Sequence, residues 1–228
     1  MLSDQTIFRN KNRSIIMRLI IRARRLFSSR KRAKLNEKIS DELDGLDFTI
    51  FSNNCIGGVF YHDAGKKFLS PTINIAFDGE DFIRFLANPK LYFTDDFIFY
   101  KWPKHNYPIA LNNGVEFRFV HYDNNKECVD KWLDRSKRIV WDNIYIIATD
   151  VDGLSKKELL EAFDKLPYRN KIMFTAKKYP QYDWAIFVKQ FRKKRTVHIM
   201  TDYANFKGER YYETAFNIPK WIKENYHR

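Results

Sequence analysis

Short apolar runs alternate with longer amphipathic segments from Leu46 to the end of the chain. The apolar runs at 48–51, 97–100, 115–121, 143–148, 172–175 and 184–188 predict strands, and the segments at 59–64, 126–141 and 218–226 predict helices. Further helices are expected to begin near Asp78 and at Ser155, where Glu158 stands at the capping-box position. This order is typical of βαβ units. We therefore expect an α/β fold, a three-layer, Rossmann-like domain with a mostly parallel central sheet.

The N-terminal segment has a different pattern, with apolar residues at helical spacing and arginines between them. The apolar stripe consists of Ile16, Leu19, Ile20, Ala23, Leu26 and Phe27. This spacing predicts a basic amphipathic helix at about 13–34, followed by a polar linker. We therefore divide the chain into a basic arm and linker, residues 1–45, and a single α/β domain, residues 46–228.

The charge of the chain is concentrated in this arm. Of the net charge of +13, +10 lies before Glu37, so the body is nearly neutral and lacks the basic excess of a nucleic-acid-binding domain. An amphipathic, cationic helix suits an anionic membrane surface, which Arg18, Arg22, Arg24 and Arg25 would contact. A solvated tail, a helix docked on the body, or a partner protein or nucleic acid held by the arm are the alternatives. Two cysteines and no apolar run of about 20 residues indicate a cytoplasmic protein, peripheral on the inner face of the cell membrane.

Small polar residues and paired glycines directly follow the first predicted strand. Cys55 lies in this loop as a candidate nucleophile, and a thiol nucleophile needs a nearby base, for which His121 and His62 are the candidates. The other reading makes Cys55 a small core residue, as we expect for Cys128. The loop residues expected to approach the substrate are Asn53, Asn54, Gly57 and Gly58.

Two further groups carry possible chemistry. Trp132, Arg135 and Arg138 follow one another on a predicted helix and could bind a phosphate or carboxylate, although a solvated charged face is the ordinary interpretation. Asp150 and Asp152 follow a strand and would hold Mg²⁺ or Mn²⁺ in an alternative site, but an Asp-Gly turn explains them equally well. The leading interpretation includes no metal.

The order of several motifs resembles that of a bacterial exopolysaccharide-biosynthesis family called domain of unknown function 1919. The shared features are Ser52-Asn53-Asn54-Cys55 with Gly57-Gly58, Ser70-Pro71, Phe82-Ile83-x-Phe-Leu, Phe119-x-His121-Tyr122, Trp132-x-x-Arg135-x-x-Arg138-Ile139 with Asn143, and Leu166-Pro167 before Lys171. The order of Cys, His and Trp-x-x-Arg is also similar to that of proteins described as papain-like cysteine peptidases in surface-polysaccharide loci. The papain signature, with Trp after the Cys, is absent.

The resemblance implies a transferase of bacterial capsule or exopolysaccharide biosynthesis that works at the cytoplasmic membrane. We expect acyl transfer to a lipid-linked sugar by a Cys55–His121 pair, from a donor such as acetyl-CoA. A glycosyltransferase or glycerol-phosphate transferase with a nucleotide-linked donor, such as a nucleotide sugar with Mg²⁺ or Mn²⁺, is the first alternative. A non-catalytic accessory protein of polysaccharide assembly is the second.

Overall fold

A computed structural model describes residues 4–103 and 105–227; the side chains of residues 4–18, 21, 25 and 29 lie outside the description. The helices are α1 (Asp4–Glu42), α2 (Ile56–Asp63), α3 (Gly79–Ala87), α4 (Asn125–Ser136), α5 (Lys157–Asp164), α6 (Tyr211–Ala215) and α7 (Ile218–Glu224). The strands are β1 (Thr49–Phe51), β2 (Ile98–Tyr100), β3 (Ile109–Asn112), β4 (Val115–Arg118), β5 (Ile144–Thr149), β6 (Lys171–Thr175) and β7 (Ala185–Phe187).

The central sheet is parallel and has the strand order β1-β5-β6-β7. Phe51, the last residue of β1, pairs with Ile146, and β5 continues to Thr149 beyond it. The loop that follows β1 therefore lies beside the last residues of β5. Carboxyl ends of parallel strands are the usual place for ligands in α/β sheets.

Apolar side chains of the sheet alternate between two cores, one on each face. Ile146 and Ala148 pack with residues of α3, α4 and α5, and Tyr145 and Ile147 pack with residues of α1, α2, α6 and α7. This alternation follows from the two-residue period of a strand and makes β5 apolar on both sides. Helices thus cover both faces of the sheet, and the expected three-layer α/β fold is confirmed.

A second, antiparallel sheet of β2, β3 and β4 lies outside the parallel one. Strand β3 was absent from the sequence prediction, although Asn113 and Gly114, both with positive φ (47° and 75°), form the Asn-Gly turn typical of a hairpin. The predicted capping box at Ser155 is wrong, because Lys156 is the N-cap of α5 and caps it without a side-chain hydrogen bond.

The second half of α1 packs on the body. Ser28 and Ile39 are buried, as is Leu43 directly after the helix, and Gly208 (φ +86°) approaches so closely that an added Cβ would lie 3.0 Å from the backbone nitrogen of Arg32. The division of the chain at residue 45 stays a prediction. The structure shows that the second half of α1 nevertheless contacts the domain that follows it. Within residues 4–103 and 105–227, none of the helices has the length and apolar character to cross a membrane.

Candidate active site

Cys55 lies at the N-cap of α2, directly after the loop that leaves β1. Its Sγ atom is 3.5 Å from Nε2 of His121, which is 66 residues away in the sequence. The thiol is half-buried, whereas the histidine is exposed. The structure therefore brings together the predicted nucleophile and the first of its two predicted bases, within reach of proton transfer.

Two asparagines fix the loop that carries Cys55. The buried Asn53 binds the backbone of Thr149 twice, donating from Nδ2 to the carbonyl oxygen (3.0 Å) and accepting at Oδ1 from the amide (3.1 Å). Asn54 donates to Oγ1 of Thr149 (2.6 Å) and accepts at Oδ1 from the amide of Ile56 (3.0 Å), the first residue of α2. Both side chains are used to join the ends of β1 and β5, so we assign them a positioning role in place of the predicted contact with substrate.

Gly57 and Gly58 are in the first turn of α2, where they allow close packing. A Cβ on Gly57 would lie 2.8 Å from Oγ of Ser52, and a Cβ on Gly58 would lie 3.2 Å from Cγ2 of Ile73. In the described part of the chain, no acceptor binds the amide of either glycine. Free amides in the first turn of a helix point back towards its N-terminus, here towards Cys55. They are suitable donors for a developing oxyanion.

A buried network holds the segment that carries His121. The hydroxyl of its neighbour Tyr122 donates to the carbonyl oxygen of Ile73 (2.9 Å), and Nη1 of Arg135 donates to the same hydroxyl (2.6 Å) and to the same carbonyl (3.3 Å). Burial raises the pKa of Tyr122 to about 12, which keeps its proton in place. Arg135 is only 7% exposed, so it does not face solvent. It positions His121 indirectly, through its hydrogen bond to the neighbouring Tyr122.

The structure does not assemble the predicted phosphate site. Trp132 is 1% exposed, and its Nε1 donates to the carbonyl oxygen of Tyr92 (2.7 Å), so it belongs to the core beside Arg135. Arg138 forms an ion pair with Asp134 one turn away on the helix. The first two side chains are directed inwards and the third is neutralised, which leaves no cationic clamp at this position.

His62, the second predicted base, lies about two turns along α2 from Cys55. Its side chain is 78% exposed, and its Nδ1 lies 3.5 Å from Oδ1 of Asp63. Seven residues along a helix separate it from Cys55, a rise of roughly 10 Å. This separation is too large for direct proton transfer between the two side chains.

Asp150 and Asp152 belong to a turn. Asp150 is fully buried, and its two carboxylate oxygens accept hydrogen bonds from the backbone amides of Ala176 (2.8 Å) and Val197 (2.7 Å). Asp152 has a positive φ of 50°, followed by Gly153 with φ 90°, which is the geometry that the Asp-Gly interpretation predicts. Among the residues that the structure describes, no group of three or more His, Cys, Asp or Glu side chains could hold a metal ion.

The two thiols of the chain differ in their surroundings. Burial raises the pKa of Cys55 above its usual value, so at neutral pH the thiol keeps its proton until a base removes it. Cys128 is in the core, as predicted; burial raises its pKa to about 12, and its Sγ donates to the carbonyl oxygen of Asn124 (3.2 Å). Of the two, only Cys55 is next to an imidazole.

The far end of α2 is held by an ionic cluster that the sequence analysis missed. Asp63, the last residue of α2 and 2% exposed, lies 3.0 Å from Nη2 of Arg32 and 2.5 Å from Nε of Arg210. Arg32 also contacts Glu213 at 2.6 Å. The helix that begins at Cys55 is therefore fixed at both ends, to β5 by the asparagines and to α1 by Asp63.

These features define a class of protein, an α/β domain with a Cys–His pair at the carboxyl end of the first strand. The family model called domain of unknown function (DUF1919) matches residues 26–223, and the chain belongs to this family. An uncharacterized protein of Haemophilus influenzae (strain ATCC 51907 / DSM 11121 / KW20 / Rd) is 34% identical over 195 residues, which cover 86% of this chain and 93% of the relative. The resemblance to domain of unknown function 1919 that the motifs indicated is confirmed, and the link to exopolysaccharide biosynthesis stays a prediction. The match begins within the docked half of α1.

Proposed function

We propose that the protein is an acyltransferase in which Cys55 is the nucleophile and His121 the base, acting in capsule or exopolysaccharide assembly on a lipid-linked sugar. The observation that carries the proposal is the distance of 3.5 Å between Sγ of Cys55 and Nε2 of His121. The free amides of the first turn of α2 add donors for an oxyanion. The link to polysaccharide assembly rests on the resemblance alone.

In the first half of the reaction, Nε2 of His121 removes the proton from the Cys55 thiol. The thiolate attacks the carbonyl carbon of a thioester donor such as acetyl-CoA, and the tetrahedral oxyanion accepts hydrogen bonds from the amides of Gly57 and Gly58. Collapse of this intermediate forms a Cys55 thioester and releases the donor thiolate, which receives the proton from His121.

In the second half, His121 accepts the proton of a hydroxyl group on the acceptor. The alkoxide oxygen attacks the acyl carbon of the Cys55 thioester, the C–S bond breaks, and the leaving thiolate takes the proton back from His121. An ester forms, and the thiol is regenerated. If water replaced the acceptor, the same steps would give a hydrolase.

The other two candidate functions receive less support. A nucleotide-linked donor with Mg²⁺ or Mn²⁺ requires carboxylates that are free to bind the ion, whereas both oxygens of Asp150 are already hydrogen-bonded. A non-catalytic accessory protein has no need of a thiol placed beside an imidazole.

The first test is to load Cys55 with an acyl group. We expect intact-mass measurements after mixing with acetyl-CoA or longer acyl-CoA donors to reveal one acyl group per chain, and peptide mapping to assign it to Cys55. Cys128→Ser should load normally, because Cys128 is in the core. If Cys55 still reacts with iodoacetamide but no donor loads it, the result would contradict the acyltransferase and favour the accessory role.

We also propose that α1 rests on the inner face of the cell membrane. Leu19, Leu26 and Phe27 are 59%, 69% and 75% exposed, on the side opposite the buried Ser28 and Arg32. Arg22 and Arg30 are exposed with them. Of the other predicted membrane arginines, Arg24 donates to the carbonyl oxygen of Tyr203 (3.3 Å) and so serves the body, and the side chains of Arg18 and Arg25 lie outside the description. Apolar side chains flanked by arginines suit an anionic interface.

Replacing Leu26 and Phe27 together by glutamate should weaken binding to vesicles that contain phosphatidylglycerol at least about tenfold, because full burial of each side chain is worth about 1.5–3 kcal/mol. Flotation of the protein with vesicles measures the bound fraction. Ile98→Glu is the matched control, since Ile98 is 72% exposed but lies on the antiparallel sheet. Equal losses in both variants, or no loss in either, would count against contact through α1.

A further inference from the structure

A cleft of about 320 Å³ opens beside the helix that carries Cys55. It lies between α2 and the segment at 199–210, and its lining residues are Val59, Ile199, Thr201, Asp202, Tyr203 and Arg210. Val59 follows Cys55 by four residues, so the two side chains are neighbours on one face of the helix, about one turn apart. Cys55 itself is not in the lining; about one helical turn, roughly 5–6 Å between Cβ atoms, separates it from Val59.

The walls of the cleft are polar and are held in place. Arg210 binds Asp63 through Nε (2.5 Å) and Nη2 (3.1 Å), and it donates to the carbonyl oxygen of Thr201. Its guanidinium group lies 5.2 Å from the centre of the Tyr203 ring. Tyr203 and Thr201 are half-buried and line the cleft, so an aromatic side chain and a hydroxyl-bearing side chain border it. Such a combination of an aromatic surface and a few fixed polar groups is typical of a ligand site.

The rim of the cleft is apolar instead. Ile199 of the lining is 55% exposed, and Phe206, which is not in the lining but follows Tyr203 by three residues, is 50% exposed. Arg24 joins this rim to α1, because it donates to the carbonyl oxygen of Tyr203 (3.3 Å) and lies 5.9 Å from the centre of the Phe206 ring. The apolar rim thus lies next to the helix that exposes Leu26 and Phe27.

We infer that this cleft is the acceptor site, and that it holds the hydroxyl-bearing head of an amphipathic molecule whose chain lies over Ile199 and Phe206. The polar walls match the head and the apolar rim matches the chain. The head must extend from Val59 by about one helical turn, roughly 5–6 Å, to present a hydroxyl group to Cys55, which is within the size of a sugar ring. The assignment of this molecule as acceptor rests on the proposed acyl transfer; the binding site itself does not.

Binding is tested with octyl glucoside below its micelle concentration, compared with glucose and with octanol. In a protein with labelled methyl groups, we expect saturable NMR shifts of Val59 and Ile199 with octyl glucoside, at concentrations at least about tenfold lower than with either fragment, since head and chain bind together. Ile98, which is also exposed, is the control for unspecific contact and should not shift. Shifts of Ile98 equal to those of Ile199, or octanol acting as well as octyl glucoside, would overturn the inference.

The role as acceptor site is tested by Tyr203→Ala and Thr201→Val. Both variants should be loaded by acyl-CoA at Cys55 at the wild-type rate and should lose the acyl group to octyl glucoside at least about tenfold more slowly, because the acceptor no longer has its binding surface. Lys131→Ala, at an exposed position of α4, is the control and should transfer normally. Normal transfer by both cleft variants overturns the acceptor site, whereas failure of the wild-type protein to load overturns the acyltransferase.

Discussion

His121→Ala should slow the acylation of Cys55 at pH 7 by roughly 10²–10⁴-fold, the usual contribution of a general base. The physical reason is the state of the thiol. Burial raises the pKa of Cys55 above its usual value, so few molecules carry the reactive thiolate at neutral pH unless an adjacent base takes the proton. Nε2 of His121, at 3.5 Å, is the base that the geometry provides.

The direction of the pH dependence follows from the same pKa shift. Since only the thiolate reacts and its pKa is raised, alkylation of His121→Ala by iodoacetamide should keep increasing with pH beyond about 8.5, the ordinary thiol pKa. The wild-type protein carries the same raised thiol pKa, so its rate should also increase with pH, but from a higher value at pH 7, because the imidazole removes the proton as the thiol reacts. Measuring alkylation needs no knowledge of the natural donor, so the role of the base is tested apart from the proposed substrate.

His62→Ala is the matched control for this experiment. It removes the same side chain from the same helix as Cys55, but at a position that is 78% exposed and about two turns away. We expect its rate and its pH profile to equal those of the wild-type protein. If both histidine variants matched the wild type, His121 would have no role as a base.

The pairing of Cys55 with His121 was predicted from the sequence, but on incomplete grounds. The predicted strand before Cys55 and the predicted strand that ends at His121 were both expected in the central sheet, whereas β1 and β4 belong to two different sheets. What brings β4 close is a bridge between Ala76 and Arg118, in which each amide donates to the other's carbonyl oxygen. A single pair of backbone hydrogen bonds between distant segments has no pattern in the sequence, so the prediction could be right about the residues and incomplete about the reason.

The burial of Arg135, in contrast, could have been read from the sequence. Cys128, Trp132 and Arg135 are separated by four and three residues, so they share one face of α4. Cys128 was expected in the core, and the same face therefore had to bury the other two. The predicted phosphate site at Trp-x-x-Arg disregarded this spacing, and the structure shows Trp132 and Arg135 in the core instead.

Asp63 is the residue for which sequence reasoning had the least to use. Its partners Arg32 and Arg210 are 31 and 147 positions away, on elements whose docking depends on the whole fold. An aspartate at the C-terminal end of a helix is also unfavourable by itself, since the helix dipole is negative there. The two guanidinium groups that the folded chain brings to it explain its position.

Asp63→Ala should therefore lower the free energy of unfolding by about 3–5 kcal/mol, the usual cost of removing one partner from a buried ion pair. The variant leaves Arg32 and Arg210 largely buried with part of their compensating charge gone. Burial by itself lowers the pKa of Arg32, but its hydrogen bond to Glu213 and the charges of Glu213 and Asp63 raise the pKa above the ordinary value. The guanidinium group therefore keeps its proton and its charge. Urea unfolding at pH 7 measures the loss. Glu161→Ala, which breaks an exposed pair with Lys157, is the control and should cost less than about 0.5 kcal/mol.

The same variant separates anchoring from chemistry, because Asp63 and Cys55 lie at opposite ends of one helix. At low temperature without urea, where Asp63→Ala remains folded, alkylation of Cys55 should decrease less than in His121→Ala, since the asparagines still hold the N-terminal end of α2 to β5. A cost below about 1 kcal/mol would mean that solvent already reaches the cluster. Loss of alkylation equal to that of His121→Ala would mean that Asp63, and not only the asparagines, sets the position of the thiol.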